Sequence, residues 1–227
     1  MRYSEVGFRA VCGQFVAFDM TDKIRKFADS LTDEEGRGLY PGGSDVNCIL
    51  TYGYVDHEAG VTLEVLALGT RDGDSFGFYA GNPSARNMMR IGYVSEEDFE
   101  LIDDADGALG KIFAEQIARL DEYRVNEYVE ESRNFDFLDS LRDELYIDDV
   151  KVELVHADHE NETVWVRIED LDPEERGFVG TLLNEPYQNM GVHKGDTLEF
   201  YCALNEEFEQ ICYVELTPDE QPKTNLS

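Results

Sequence analysis

A chain of 227 residues with 50 acidic against 19 basic side chains carries a net charge of −31. Such a surface repels phosphate backbones and anionic membranes, which argues against nucleic-acid or membrane partners and for a basic protein partner. With 42% hydrophobic and 11% aromatic residues the chain is globular, and its apolar runs are shorter than the ~20 residues that span a bilayer.

In chain order, Gly7 to Phe18 is apolar-rich and predicts a first strand, with a bend at Cys12-Gly13. The opening MRYSEVGFRAV lacks the apolar core and cleavage site of a signal peptide, so a cytoplasmic location is expected. Thr21 or Asp22 can cap a helix over 22–31 in which Ile24, Phe27, Ala28 and Leu31 share a face. Thr32 to Ser44 is a Gly- and Asp-rich loop without the lysine and following helix of a phosphate-binding loop. Val46 to Tyr54 and Val61 to Gly69 alternate as strands. Arg71-Asp72-Gly73-Asp74 is a hairpin turn, Ser75 to Ala80 a third strand, and Arg86 to Val94 a candidate fourth. Leu66 and Leu68, opposite the main apolar register, predict cover on both faces of this meander.

Ser95, with Asp98 three residues on, reads as a helix start. The run Asp103 to Gly107 fails the register of a calcium loop, because Gly107 as the sixth position puts Ile102 at the first ligand position. Gly107 to Tyr123 predicts an amphipathic helix with Leu109, Ile112, Phe113, Gln116, Ile117 and Leu120 inward. A second helical stripe is Phe135, Leu138, Leu141, Arg142 and Leu145. From Asp121 to Asp149, both included, there are eleven acidic residues and three arginines. Strands follow at Lys151 to His156, Val164 to Glu169, Gly177 to Leu183 and from Leu198 onward. Pro186 marks a strand end, and His193-Lys194-Gly195-Asp196 a turn. The tail from Thr217 is polar and predicts looseness.

Trp165-Val166, the run Gly180-Thr181-Leu182-Leu183-Asn184-Glu185-Pro186, and Gly195-Asp196 before an alternating strand together resemble the YegJ-like family of bacterial domains of unknown function. The resemblance covers residues 150 to 216. It implies a compact β module in a bacterial protein, of a kind sometimes found near toxin–immunity systems, and it brings no catalytic residues. Where such domains close on an Asp-Trp pair, this chain runs Phe208 to Tyr213 without a tryptophan.

Chemistry-bearing motifs are sparse, and no cofactor is expected. His156 and His159, flanked by Asp158 and Glu160, have the spacing of a metal pair, although such a turn is ordinarily a solvated loop. Cys12, Cys48, Cys202 and Cys212 form no CxxC pair and read as small buried side chains, since a disulfide requires an oxidising compartment. Tyr52, Tyr54, Phe76, Phe78, Tyr79, Tyr187 and Tyr201 serve either sheet packing or a binding surface.

The expected fold is α+β. Residues 1–125 form an antiparallel sheet covered by helices, 126–149 an acidic helical connector, 150–216 a small bent β sheet or SH3-like barrel, and 217–227 a flexible tail. The expected function is that of a non-enzymatic acidic bacterial binding protein, in its sharpest version an immunity-type protein that occludes a basic partner. Asp136, Asp139, Asp143 and Glu144 on the acidic stretch, with Glu185, Tyr187 and Asn189 on the loop after the third strand of the module, are the candidate contacts. The rivals are a metal-dependent hydrolase using His156 and His159, and a structural protein with a docking module.

Overall fold

The structure, a computed structural model, describes residues 1–31, 46–73, 75–80, 86–172 and 177–216. The glycine-rich loop at Thr32–Ser44, the exposed turn after Asp172 and the tail from Thr217 lie outside them. The fold is α+β, with a curled antiparallel sheet carrying a few helices and a closed five-stranded barrel in the C-terminal half. The chain divides into two compact units, Met1–Arg124 and Val125–Ser227.

In the first unit the elements run α1 (Tyr3–Val6), β1 (Phe15–Asp19), α2 (Asp22–Ser30), β2 (Cys48–Asp56), β3 (Gly60–Asp72), β4 (Ser75–Ala80), β5 (Met88–Arg90), α3 (Ile91–Val94), β6 (Phe99–Ile102), α4 (Ala108–Ile112) and α5 (Ala114–Ala118). The sheet order is β4-β3-β2-β1-β6, with β5 beside β3. The thirteen residues of β3 serve two neighbours along one edge: Thr62–Glu64 pair with β5 and Ala67–Asp72 with β4. Strand alternation buries both faces, with Leu50 and Ala67 inward on one side and Val16, Ile49 and Leu63 on the other. The predicted meander is therefore present in order and, as expected, covered twice.

Local chemistry sets the corners. Asp56 Oδ1 accepts from the Glu58 and Ala59 N–H groups and Gly60 takes a left-handed φ of 80°, which turns β2 into β3. Thr21 caps α2 by accepting from the Ile24 N–H. Gly53 is required by a close crossing: a Cβ there would stand 2.1 Å from the Val11 carbonyl oxygen, where the 11–13 segment lies against β2.

Four sequence expectations in this unit differ from what the chain does. The candidate fourth strand over Arg86 to Val94 is only β5, Met88–Arg90, because Ile91–Val94 turns into α3. The first strand is only Phe15–Asp19, because Tyr3–Val6 and Phe8–Ala10 are short helical turns. The helix expected after Ser95 is strand β6, drawn out by pairing of Phe99 to Ile102 with β1. The single helix expected over 107–123 is broken into α4, α5 and a 3-10 turn at Arg119–Tyr123, and Ile112, expected inward, is 61% exposed.

The second unit opens with α6 (Glu127–Ser132) and a 3-10 turn at Asp136–Leu138. Then follow β7 (Asp149–His156), β8 (Glu162–Asp172), β9 (Gly177–Leu182), β10 (Thr197–Leu204) and β11 (Gln210–Leu216). Each of these strands pairs antiparallel with the next. An odd number of such strands can close only through a parallel pair, and β11 does pair parallel with β7. The barrel is filled by Val152, Val166, Leu182, Leu198, Phe200 and their neighbours. Gly180 is needed at the β8 bulge, where a Cβ would meet the Arg167 carbonyl oxygen at 2.4 Å.

The acidic stretch 126–149 is part of this unit. Val129 and Leu138 are buried in the barrel's own core cluster. The Asn126 side chain caps α6 by accepting from the Val129 N–H, and donates to the carbonyl of Glu169 at the β8 bulge. Only a 3-10 turn forms where a helix over 135–145 was expected, and residues 141–143 instead run beside the start of β7.

Candidate functional site

Four strands place a row of side chains on one face of the first sheet. Ile102 stands opposite Phe15, Phe15 opposite Tyr52, and Tyr52 opposite Glu64. Helices α4 and α5 cover this face through Leu109, Phe113 and Ile117. Their other small residues leave a cleft of about 720 Å³, lined by Phe15, Tyr52 and Ile102 from the sheet, Gly110, Ala114 and Ala118 from the helices, and Asp103, Asp104 and Asp121. The Phe15 and Tyr52 rings meet edge-on, 5.2 Å between centroids. Burial, with the Cys12 thiol nearby, pushes the Tyr52 hydroxyl above its usual pKa. Asp104 uses both carboxylate oxygens to cap α4, accepting from Leu109 N–H at 2.8 Å and Gly110 N–H at 2.9 Å. That capping accounts for the acidic run that mimics a calcium loop.

Glu64 is 1% exposed, and its Oε2 has no hydrogen-bond donor among the described residues. Burial raises its pKa, opposed by the Arg86 and Arg119 charges. Arg86 stacks over Tyr123 at 5.2 Å and binds Glu122 at 2.9 Å. None of this was singled out from the sequence. The available signal was a lone glutamate between Leu63 and Val65 in an otherwise apolar strand, in the inward register of Tyr52.

The barrel presents the residues that the sequence did single out. Tyr187 is 99% exposed, yet its backbone is pinned: its N–H donates to Glu162 Oε1 at 2.6 Å and the Gln188 N–H to Oε2 at 3.2 Å. Asn184 Oδ1 accepts from the Trp165 N–H, and Met190 and Val192 anchor the loop in the core. Asn189 is exposed. Glu185 Oε1 lies 2.7 Å from His193 Nδ1 while Oε2 accepts from the Lys194 N–H. This pairing, chiefly the hydrogen bond, lowers the Glu185 pKa and raises that of His193.

A pH dependence follows. The raised His193 contributes stability in full below the ordinary histidine value of about 6.5 and loses it as pH rises through the folded value; the lowered Glu185 contributes above about 4.3 and loses it as pH falls through its own. The loop is thus expected to be tightest between these limits. A histidine-detected NMR titration checks it, and a His193 midpoint at or below that of the unfolded chain contradicts it.

The acidic candidates divide by role. Asp136 and Glu144 are exposed; Asp139 lies 3.6 Å from the buried Arg142; Asp143 Oδ1 holds a turn by accepting from the Leu145 and Tyr146 N–H groups. Asp148 and Asp149, not singled out, make two-pronged ion pairs with Arg133 and Arg167. The His156 and His159 rings stand 4.7 Å apart, but His156 Nδ1 accepts from the Asp158 N–H. Among the described residues no group of three or more His, Cys, Asp and Glu side chains is placed to hold a metal.

Cys202 and Cys212, read as separate buried thiols, form a disulfide, because the β10–β11 register sets them directly opposite with Cα atoms 4.2 Å apart. Cys12 and Cys48 take no part in a disulfide among the described residues; burial foremost, aided by Asp19, pushes the Cys48 thiol up to about 11. Beyond the bridge the hairpin tip holds Phe208 at a left-handed φ of 63° and 83% exposed. Among the described residues no helix is long and apolar enough to cross a membrane. No protein-family model, curated protein or solved structure matches the chain.

Proposed function

We propose that the protein is a non-enzymatic binding protein for a basic protein partner, docked through the barrel loop between Asn184 and His193. The observation that carries this reading is Tyr187, an aromatic ring wholly in solvent on a backbone fixed by Glu162. A rigid loop that displays a tyrosine gives large contact area at low ordering cost, the character of an interface anchor. The excess of 31 negative charges supports a basic partner by steering its approach. The immunity-type version, occlusion of a basic toxin, makes the same demands, and the resemblance of residues 150–216 to YegJ-like domains belongs to that version of the proposal.

The test begins with partners recovered from host extract and identified by mass spectrometry, then purified and titrated singly. A supporting partner is basic, binds less tightly as salt rises, and loses on the order of tenfold or more in affinity to Tyr187→Ala. An interaction indifferent to salt and to Tyr187→Ala sinks the reading.

A further inference from the structure

The cleft in the first unit has the makings of a small-ligand site, and its chemistry selects one class of ligand. Its volume of about 720 Å³ is within the range of small-molecule pockets. The room exists because α4 and α5 turn Gly110, Ala114 and Ala118, spaced four residues apart, toward it. Opposite them stand the rings of Phe15 and Tyr52, an apolar surface suited to an alkyl chain.

The polar lining is acidic. Among its aspartates Asp104 is committed to capping α4, and Asp121 makes a 2.9 Å ion pair with Arg124 in which both side chains are largely exposed, a contact of little strength. Asp103, also exposed, has no ion pair among the described residues. Two carboxylates are thus open to a ligand beside two rings. One strand beyond Tyr52, on the same face, buried Glu64 Oε2 is an acceptor without a donor among the described residues. Among the described residues no basic side chain lines the cleft itself, so its carboxylates favour a cation over an anion.

We propose that this cleft binds an alkylammonium group, with the alkyl chain over Phe15, Tyr52 and Ile102 and the ammonium against Asp103 and Asp121. The group belongs either to a free aliphatic diamine or polyamine or to the lysine side chain of a peptide. The site is independent of the barrel-loop reading, since every lining residue belongs to Met1–Arg124.

Calorimetry and amide NMR on the full chain test it with three probes: cadaverine, its neutral isostere 1,5-pentanediol, and Nα-acetyl-lysine N-methylamide. Saturable shifts at Tyr52, Ala114 and Ala118 with cadaverine, with the lysine amide or with both support the site, and the stronger probe identifies the source. Ala114→Leu, which fills the cleft, and Tyr52→Ala are each expected to weaken binding about tenfold or more, while Tyr52→Phe, which keeps the ring, retains it. Asp103→Asn with Asp121→Asn weakens it without disturbing the fold. If Tyr52→Ala does not fold, Ala114→Leu and the double asparagine variant still decide. Failure of both amines overturns the proposal, as does equal binding of the diol. Binding that Ala114→Leu leaves unchanged is diffuse attraction to an acidic surface and overturns it too.

Discussion

Asp148→Ala is expected to destabilise the second unit by about 3–5 kcal/mol, because it leaves a shielded arginine charge without its partner. Asp148 is 2% exposed and receives two hydrogen bonds from Arg133, at 2.9 and 2.8 Å, from a guanidinium that is itself mostly out of water. Removing the carboxylate keeps the desolvation cost of the cation and deletes what offset it. The control is the exposed Asp136→Ala, for which about 0.5 kcal/mol or less is expected. Replacing both partners with apolar residues, Asp148→Leu with Arg133→Met, is expected to recover most of the loss, since a buried ion pair is often matched by a packed apolar pair. Urea unfolding of the four proteins measures this. A loss from Asp148→Ala no larger than that from Asp136→Ala contradicts the argument.

The same pair shows why the acidic stretch was hard to read. Composition alone makes its acidic side chains look equivalent, and a solvated or partner-facing role suits them all. In the fold Asp148 and Asp149 meet arginines from elsewhere in the unit, Asp143 holds a turn, and Asp136 and Glu144 have exposed side chains. Which aspartate meets which arginine depends on the β7–β8 register, where Asp149 stands opposite Arg167. Strands themselves were legible because period-two alternation is local: β2 through β4 and the barrel strands lie where Val, Ile, Leu and aromatic residues alternate.

Helices were legible less often. Ser95 and Asp98 imitate a capping box, yet the edge of β1 pairs with Phe99 to Ile102 and overrides the local preference. The cleft combines residues from β1, β2, the end of β6 and the 103–121 segment, so no window of sequence contains it. The disulfide was within reach in principle. A hairpin centred on Glu207 places residues 202 and 212 opposite one another, and the spacing of ten carries that information once the strands are paired.

Leu138→Ala is expected to cost about 2–5 kcal/mol and to lower the unfolding midpoint of the barrel itself. A connector leucine would not have that effect. Leu138 is fully buried among Val150, Val152, Phe178 and the other barrel residues, although it is carried on a single 3-10 turn in the most acidic part of the chain. Neighbouring contacts hold that turn in place. Phe135 packs edge-on against Phe178 at 6.3 Å, and Arg142 donates to the Ser132 carbonyl at 2.5 Å and to that of Ile147. The barrel core is thus completed by residues that precede its first strand. The prediction distinguishes two arrangements. If 126–149 were a separate linker, Leu138→Ala would leave barrel unfolding unchanged and a fragment beginning at residue 150 would fold with full stability. With Leu138 in the core, that fragment is expected to unfold at lower urea than one beginning at Val125, and the leucine variant of the longer fragment to fall between the two. Hydrogen exchange at Val152 and Val166, in strands that flank the site, reports whether the loss reaches the barrel.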